Sequence, residues 1–210
     1  IRIIFQPNEE GVGGAKFMID NNVLNPKPKA IFGVHVKPDI ETGILGFKSG
    51  PMMASVDNLE ITLIGKGGHA AIPENTPDVI KIATTILQEA YKIIPENVSK
   101  KDKAILTFCQ INAGTAFNIM PKEITIAGTI RTLNEKVRKI IHNKLFEIVK
   151  TESDNNDIKF CLKIDKMVNV LNNDDELVKK AIKIAKSQKY KIKILKETCK
   201  CGEDFVDYLK

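Results

Sequence analysis

Two adjacent carboxylates and one imidazole are the first side chains in the sequence able to do chemistry together. Glu9-Glu10 follows a short apolar run, Arg2-Ile-Ile-Phe5, and His35 closes a second one, Ala30-Ile-Phe-Gly-Val-His-Val36. Neighbouring side chains point in different directions, so Glu9 and Glu10 can hold different roles. One can bind a metal while the other serves as general base on a metal-activated water. Taken singly, an acidic pair is usually a solvated loop and a histidine usually a surface or core residue. Their joint placement is what gives them meaning, and that depends on the elements around them.

Arg2 to Phe5 has the pattern of a strand buried on both faces, ended by Gln6-Pro7-Asn8. Gly11-Val-Gly-Gly14 makes a turn, and the apolar spacing of Ala15, Phe17, Met18 and Ile19 predicts a helix to about Asp20, stopped by Asn21-Asn22. Pro26 and Pro28 then lead into the second strand, Ala30 to Val36. A strand, helix, strand unit implies two parallel strands joined by a right-handed crossover. Ligands of an open parallel sheet bind beyond the carboxyl ends of its strands. With neighbours about 4.8 Å apart, Glu9, Glu10 and His35 are expected to converge on one small volume.

A different texture begins near Ala54. Asn58 to Leu63 alternates as a half-buried strand does, and the glycine-rich Gly65-Lys-Gly-Gly-His69 follows. From Pro77 to Ile94, apolar residues keep helical spacing (Val79, Ile82, Ala83, Ile86, Ala90, Ile93). Strands are predicted at Ala104–Ile111 and Glu123–Thr132, a second amphipathic helix from Asn134 to about Lys150, and a further strand at Ile158–Asp165. This order is that of a ferredoxin-like sandwich, four antiparallel strands with two helices on one face. Arg131 stands on the polar side of a strand whose other face is Ile124, Ile126 and Ile130. After Met167 come a helix, Asp174 to Ser187, and a short strand, Lys191 to Leu195.

Composition narrows the function class. The 210 residues are 43% hydrophobic and 28% charged, an ordinary globular balance that excludes a disordered chain and a disulfide mini-protein. No apolar run approaches the roughly 18 to 20 residues that span a bilayer, so no membrane association is expected. The formal charge is +6, yet the basic residues are 29 Lys and only Arg2, Arg131 and Arg138, spread along the chain. Nucleic-acid recognition favours the planar arginine fork, so no nucleic-acid partner is expected. Cys109 and Cys161 fall in predicted strands, where a thiol is usually a small buried hydrophobe, and Cys199-Lys-Cys201 lacks the second pair of a zinc site. Free thiols in a reducing cytoplasm are the expectation. With Ile1 first and a strand beginning at once, the chain reads as one cut into a longer sequence.

Several motifs, taken in order, carry a resemblance. They are Phe5-Gln-Pro-Asn-Glu-Glu-Gly11 with Gly13-Gly-Ala15, Ile31-Phe-Gly-Val-His-Val36, and Gly65-Lys-Gly-Gly-His-Ala-Ala71-Ile-Pro73. Gly114-Thr-Ala-Phe-Asn-Ile-Met-Pro121, Gly128-Thr-Ile-Arg-Thr132 and Gly202-Glu-Asp-Phe205 follow. Together they resemble the dinuclear metal amidohydrolases: aminoacylases, hippurate hydrolases, N-acetyl-diaminopimelate deacetylases and plant auxin-conjugate hydrolases. The resemblance covers essentially the whole chain. It implies Glu9 as general base, Glu10 and His35 as metal ligands, and two divalent ions, zinc or manganese, in the complete enzyme. It also implies that His69 reaches the partner subunit's site to steady an oxyanion, that Asn118 binds substrate across the dimer, and that Arg131 holds the substrate carboxylate. Glu203 and Asp204 lie near the site in the family and receive no role here.

The expected architecture is therefore a partial α/β catalytic domain with a mostly parallel sheet, residues 1–54 and 167–210, interrupted by an α+β ferredoxin-like lid and dimerisation domain, residues 55–166. The resemblance implies hydrolysis of the amide of an N-acyl-L-amino acid by a homodimer. A dipeptidase of the same family, or a catalytically incomplete dimerisation or ligand-binding scaffold, are the alternatives. The family's Cys-Gly-His-Asp type motif and its last histidine are not among these residues. Glu10 and His35 alone cannot close a two-metal site.

Overall fold

The structure is a computed structural model that describes residues 1–9 and 13–209. The chain divides into two compact units, residues 56–167 and residues 1–55 with 168–210.

The unit of residues 56–167 is built from β3 (Ser55–Ile64), α2 (Val79–Asn97), β5 (Ile105–Ala113), β7 (Glu123–Thr132), α3 (Glu135–Asn155) and β8 (Lys159–Val168), with the short pair β4 (Gly68–His69) and β6 (Ile119–Met120) beside them. The sheet order is β5-β7-β3-β8, that of a ferredoxin-like sandwich. Strict alternation makes this layer: β3 buries Leu59, Ile61 and Leu63, and β7 buries Ile124, Ile126 and Ile130. Against them pack Val79, Ile82, Ile86 and Ile93 from α2, and Val137, Ile141, Leu145 and Val149 from α3. Each helix starts on a side-chain cap. Asp78 accepts from Ile80 N and Lys81 N, and Asn134 from Lys136 N. Cys109 and Cys161 lie in β5 and β8 as expected but are exposed. The alternation that turns Phe160, Leu162 and Ile164 to the core leaves Cys161 on the opposite face.

One charged cluster interrupts that core. Asp57 on β3 is wholly buried and accepts from Arg138 Nε at 3.1 and 3.0 Å, from Arg138 Nη2, and from His142 Nε2 at 2.7 Å. Arg138 Nη1 reaches Glu135 at 2.7 Å.

The other unit contains α1 (Gly14–Asp20), β1 (Ile44–Phe47), β2 (Gly50–Met53), β9 (Leu171–Asn173), α4 (Asp175–Ser187) and β10 (Lys191–Ile194). β1 and β10 pair in parallel, and β2 pairs with β9 antiparallel. Met53, Leu171 and Val206 form a small core with Phe205 at its edge. The lysines of α4, Lys179, Lys180, Lys183 and Lys186, face solvent.

Here the structure corrects the expectation of a mostly parallel sheet. Neither Arg2–Phe5 nor Ala30–Val36 is a strand, and Ile3, Phe5, Phe32, Val34 and Val36 are exposed. Apolar pattern records a preference for burial, but a strand also needs a neighbour to complete its ladder. Among the described residues neither run has one. Instead Arg2 donates to the carbonyls of Val23 and Asn25, the latter at 2.8 Å, and Gly33 lies against the Phe205 ring.

Candidate active site

Although the two apolar runs do not pair, the residues beside them still meet. A carboxylate oxygen from each of Glu9, Glu203 and Asp204 lies within 4.8 Å of the others. His35 Nε2 faces Glu203 Oε2 at 3.8 Å. The other ring nitrogen, Nδ1, is 2.7 Å from the Val36 carbonyl oxygen. A carbonyl accepts only, so Nδ1 carries the proton and, in the neutral ring, Nε2 presents its lone pair on the side of Glu203. Glu203 Oε1 accepts from Phe205 N at 3.2 Å, which leaves Oε2 as the atom facing His35. Asp204 is 7% exposed and accepts from Gln6 Nε2 at 2.8 Å on both oxygens and from Ala15 N at 2.9 Å. Glu10, expected to bind metal, lies outside the described residues.

The other three expected site residues belong to the unit of residues 56–167. His69 and Asn118 come together: β4 pairs with β6, His69 opposite Ile119, and Ala70 N donates to the Asn118 carbonyl at 3.1 Å. His69 Nδ1 accepts from Ala71 N at 3.1 Å, which orients the ring. The glycine-rich loop permits this placement, because Gly67 has φ +68° and a Cβ there would sit 3.2 Å from the Met120 carbonyl. Arg131 is elsewhere. It pairs with Ile105 near the far end of β7, eight residues from Glu123 and about 27 Å of strand away from the end that adjoins β6.

A family model described as "Peptidase family M20/M25/M40" matches residues 1–210. The chain belongs to peptidase family M20/M25/M40. Among its relatives, an N-acetyl-L-cysteine deacetylase of Bacillus subtilis is 35% identical over 210 residues, all of this chain and 50% of that protein. A hippurate hydrolase of Campylobacter jejuni is 35% identical over 187 residues, 89% of this chain and 49% of that protein. A solved Bacillus subtilis structure, described as a dinuclear metal-binding peptidase of the M20 family, superposes with a TM-score of 0.82 at 29% identity, covering 97% of this chain and 51% of that one. A structure from methicillin-resistant Staphylococcus aureus, titled an aminohydrolase, gives 0.88 at 24% identity over 97% and 53%, a likeness of fold. The chain thus spans about half the length of the relatives it matches.

The donor set of this M20/M25/M40 chain fits a divalent cation. Imidazole and carboxylate oxygens suit zinc or manganese, His35 offers an oriented Nε2 3.8 Å from Glu203, and Glu9 and Glu203 each place a carboxylate oxygen within 4.8 Å of the other. Glu203 and Asp204 are the residues to which sequence reasoning gives no part. They follow Glu9 by nearly 200 residues, and no periodicity announces that return; the only signal is the Gly-Glu-Asp-Phe motif itself.

Proposed function

We propose that this chain is the core of a metal-dependent amidohydrolase that cleaves the amide of N-acyl-L-amino acids. The observation that carries the reading is that Glu203 meets both partners: a carboxylate oxygen of Glu9 lies within 4.8 Å of one from Glu203, and Glu203 Oε2 is 3.8 Å from His35 Nε2. The activities its relatives are named for, N-acetyl-L-cysteine deacetylation and hippurate hydrolysis, support this substrate class.

In this proposal His35, with Glu203 beside it, and Glu10 help hold two divalent ions, zinc or manganese. When bound, the ions lower the pKa of water and polarise the amide carbonyl. Glu9 takes the proton of the attacking water and passes it to the departing amine nitrogen, one group serving as base and then as acid. His69 donates to the oxyanion, Asn118 holds the acyl side, and Arg131 grips the substrate carboxylate with two parallel bonds. The length of β7 between Arg131 and the His69–Asn118 hairpin exceeds an N-acyl amino acid. It supports a homodimer in which the hairpin of the 56–167 unit, acting as lid and dimerisation domain, serves the partner's site.

The deciding experiment uses the protein at its native length. Glu9→Gln is expected to abolish hydrolysis of a hippurate-type substrate while zinc or manganese content stays near wild type. Unchanged hydrolysis removes Glu9 from the mechanism. A wild-type protein that binds neither ion and hydrolyses nothing leaves the alternative, a non-catalytic scaffold.

A further inference from the structure

Asp204 ties together two points of the chain that lie on either side of Glu9. Gln6, three residues before it, donates to both carboxylate oxygens at 2.8 Å, and the amide of Ala15, six residues after it, donates at 2.9 Å. The two limbs are also packed against each other, since a Cβ on Gly14 would stand 2.0 Å from the Pro7 carbonyl oxygen. Gln6-Pro7 and Gly14-Ala15 therefore form a pinched neck, and Glu9 belongs to the segment that leaves it. Asp204 closes that neck from a position 7% exposed, where its charge is tolerable only because N–H donors engage both oxygens. Its neighbours hold the other half of the site. Glu203 faces His35 Nε2, and the Phe205 ring rests on Gly33.

We infer that Asp204 is a positioning residue: it clamps the neck of the Glu9 segment, while Glu203 and Phe205 seat the His35 segment, so three consecutive residues set the two segments in register. The inference rests on the proposed hydrolase for its kinetic consequence, though not for its structural one. Both oxygens of Asp204 are already engaged, which assigns it to holding the loop and leaves the chemistry to Glu9.

The test exchanges the polarity of the clamp in the protein at native length. Asp204→Asn replaces one of the two oxygens that accept from Gln6 with an NH2 group, and Gln6→Glu places a carboxylate against a carboxylate; either loosens the neck. The double variant restores a donor facing an acceptor: the new side-chain amide donates to the new carboxylate, and its oxygen still accepts from Ala15 N. Each single change is expected to speed hydrogen exchange at the Ala15 amide and to lower kcat by about 10- to 100-fold with KM little changed. The double variant is expected to recover most of both. Should Asp204→Asn not fold, Gln6→Met, similar in shape and without a donor, gives the same reading. Faster exchange with unchanged kcat, or a double variant no better than the singles, overturns the positioning role. If the wild-type protein hydrolyses nothing, the hydrolase reading fails separately, and exchange at Ala15 alone decides the clamp: unchanged rates in the singles overturn it.

Discussion

Asp57 on β3 and Arg138 on α3 meet with both side chains withdrawn from solvent, 0% and 1% exposed, and the guanidinium turns Nε and Nη2 on one carboxylate. His142, one helical turn further on, meets the same carboxylate with Nε2 at 2.7 Å. Breaking such a pair leaves an uncompensated charge in the core, at a cost of about 3–5 kcal/mol, whereas replacing both partners with apolar groups is often near neutral. Asp57→Leu and Arg138→Met are each expected to destabilise the protein by that order. The double variant is expected to lose less than either single one. Urea unfolding measures all three, and additive losses would show that the two residues do not act as a pair.

The same carboxylate has a pH consequence. Burial pushes the Asp57 carboxyl up, but the bonds from His142 and Arg138 outweigh it and hold the group below the ordinary carboxylate range. A depressed folded value means that the ionised group stabilises the fold above its unfolded value of about 3.9. That contribution is lost as pH falls through the lower folded value. Wild type is therefore expected to lose stability steeply below about pH 4, and Asp57→Asn, already lacking the charge, to show a shallower decline. Parallel acid-unfolding curves for the two proteins would refute the assignment.

This pair also marks how far sequence reasoning reaches. The elements of the 56–167 unit are legible because period 2 and period 3.6 are strong over ten or more residues: β7 matches its expected bounds, and the other helices and strands shift by a few residues. The strand expected from Asn58, however, begins at Ser55. Asp57 is therefore on the inward row with Leu59, Ile61 and Leu63, a position that the alternation flags only when the strand is started earlier. Arg131 is the arginine whose place in the pattern suggests a role, while Arg138 is the one buried. In the other unit, strands of four residues or fewer leave no period to read. Nor does local pattern reveal that Asp204 returns to Gln6, because that contact is set by the path of 198 residues.

Gly67 offers a local test of the His69 hairpin. Its φ of +68° lies where a side chain is strained, and a Cβ would press on the Met120 carbonyl at 3.2 Å. Gly67→Ala is expected to cost about 1–2 kcal/mol, spent on shifting β4 from β6. Loss of the Ala70 amide's protection against hydrogen exchange, with the buried core amides of β7 unaffected, is the expected signature. Protection equal to wild type would show that the loop accepts a side chain.

Whether His69 serves its own subunit or the partner's can be decided by mixing two inactive proteins. If the hairpin acts across a dimer, a hybrid of a His69→Ala copy and a Glu9→Gln copy contains one site with both residues intact, Glu9 from the first and His69 from the second. Each homodimer has none. Random pairing makes about half of the dimers hybrids, so activity is expected to rise to about a quarter of the wild-type sites. If both residues act within one copy, every site in every hybrid lacks one of them. Mixing after dissociation and reassociation then restores nothing, and native mass spectrometry of the mixture, with one copy isotope-labelled, distinguishes that result from a failure to exchange subunits.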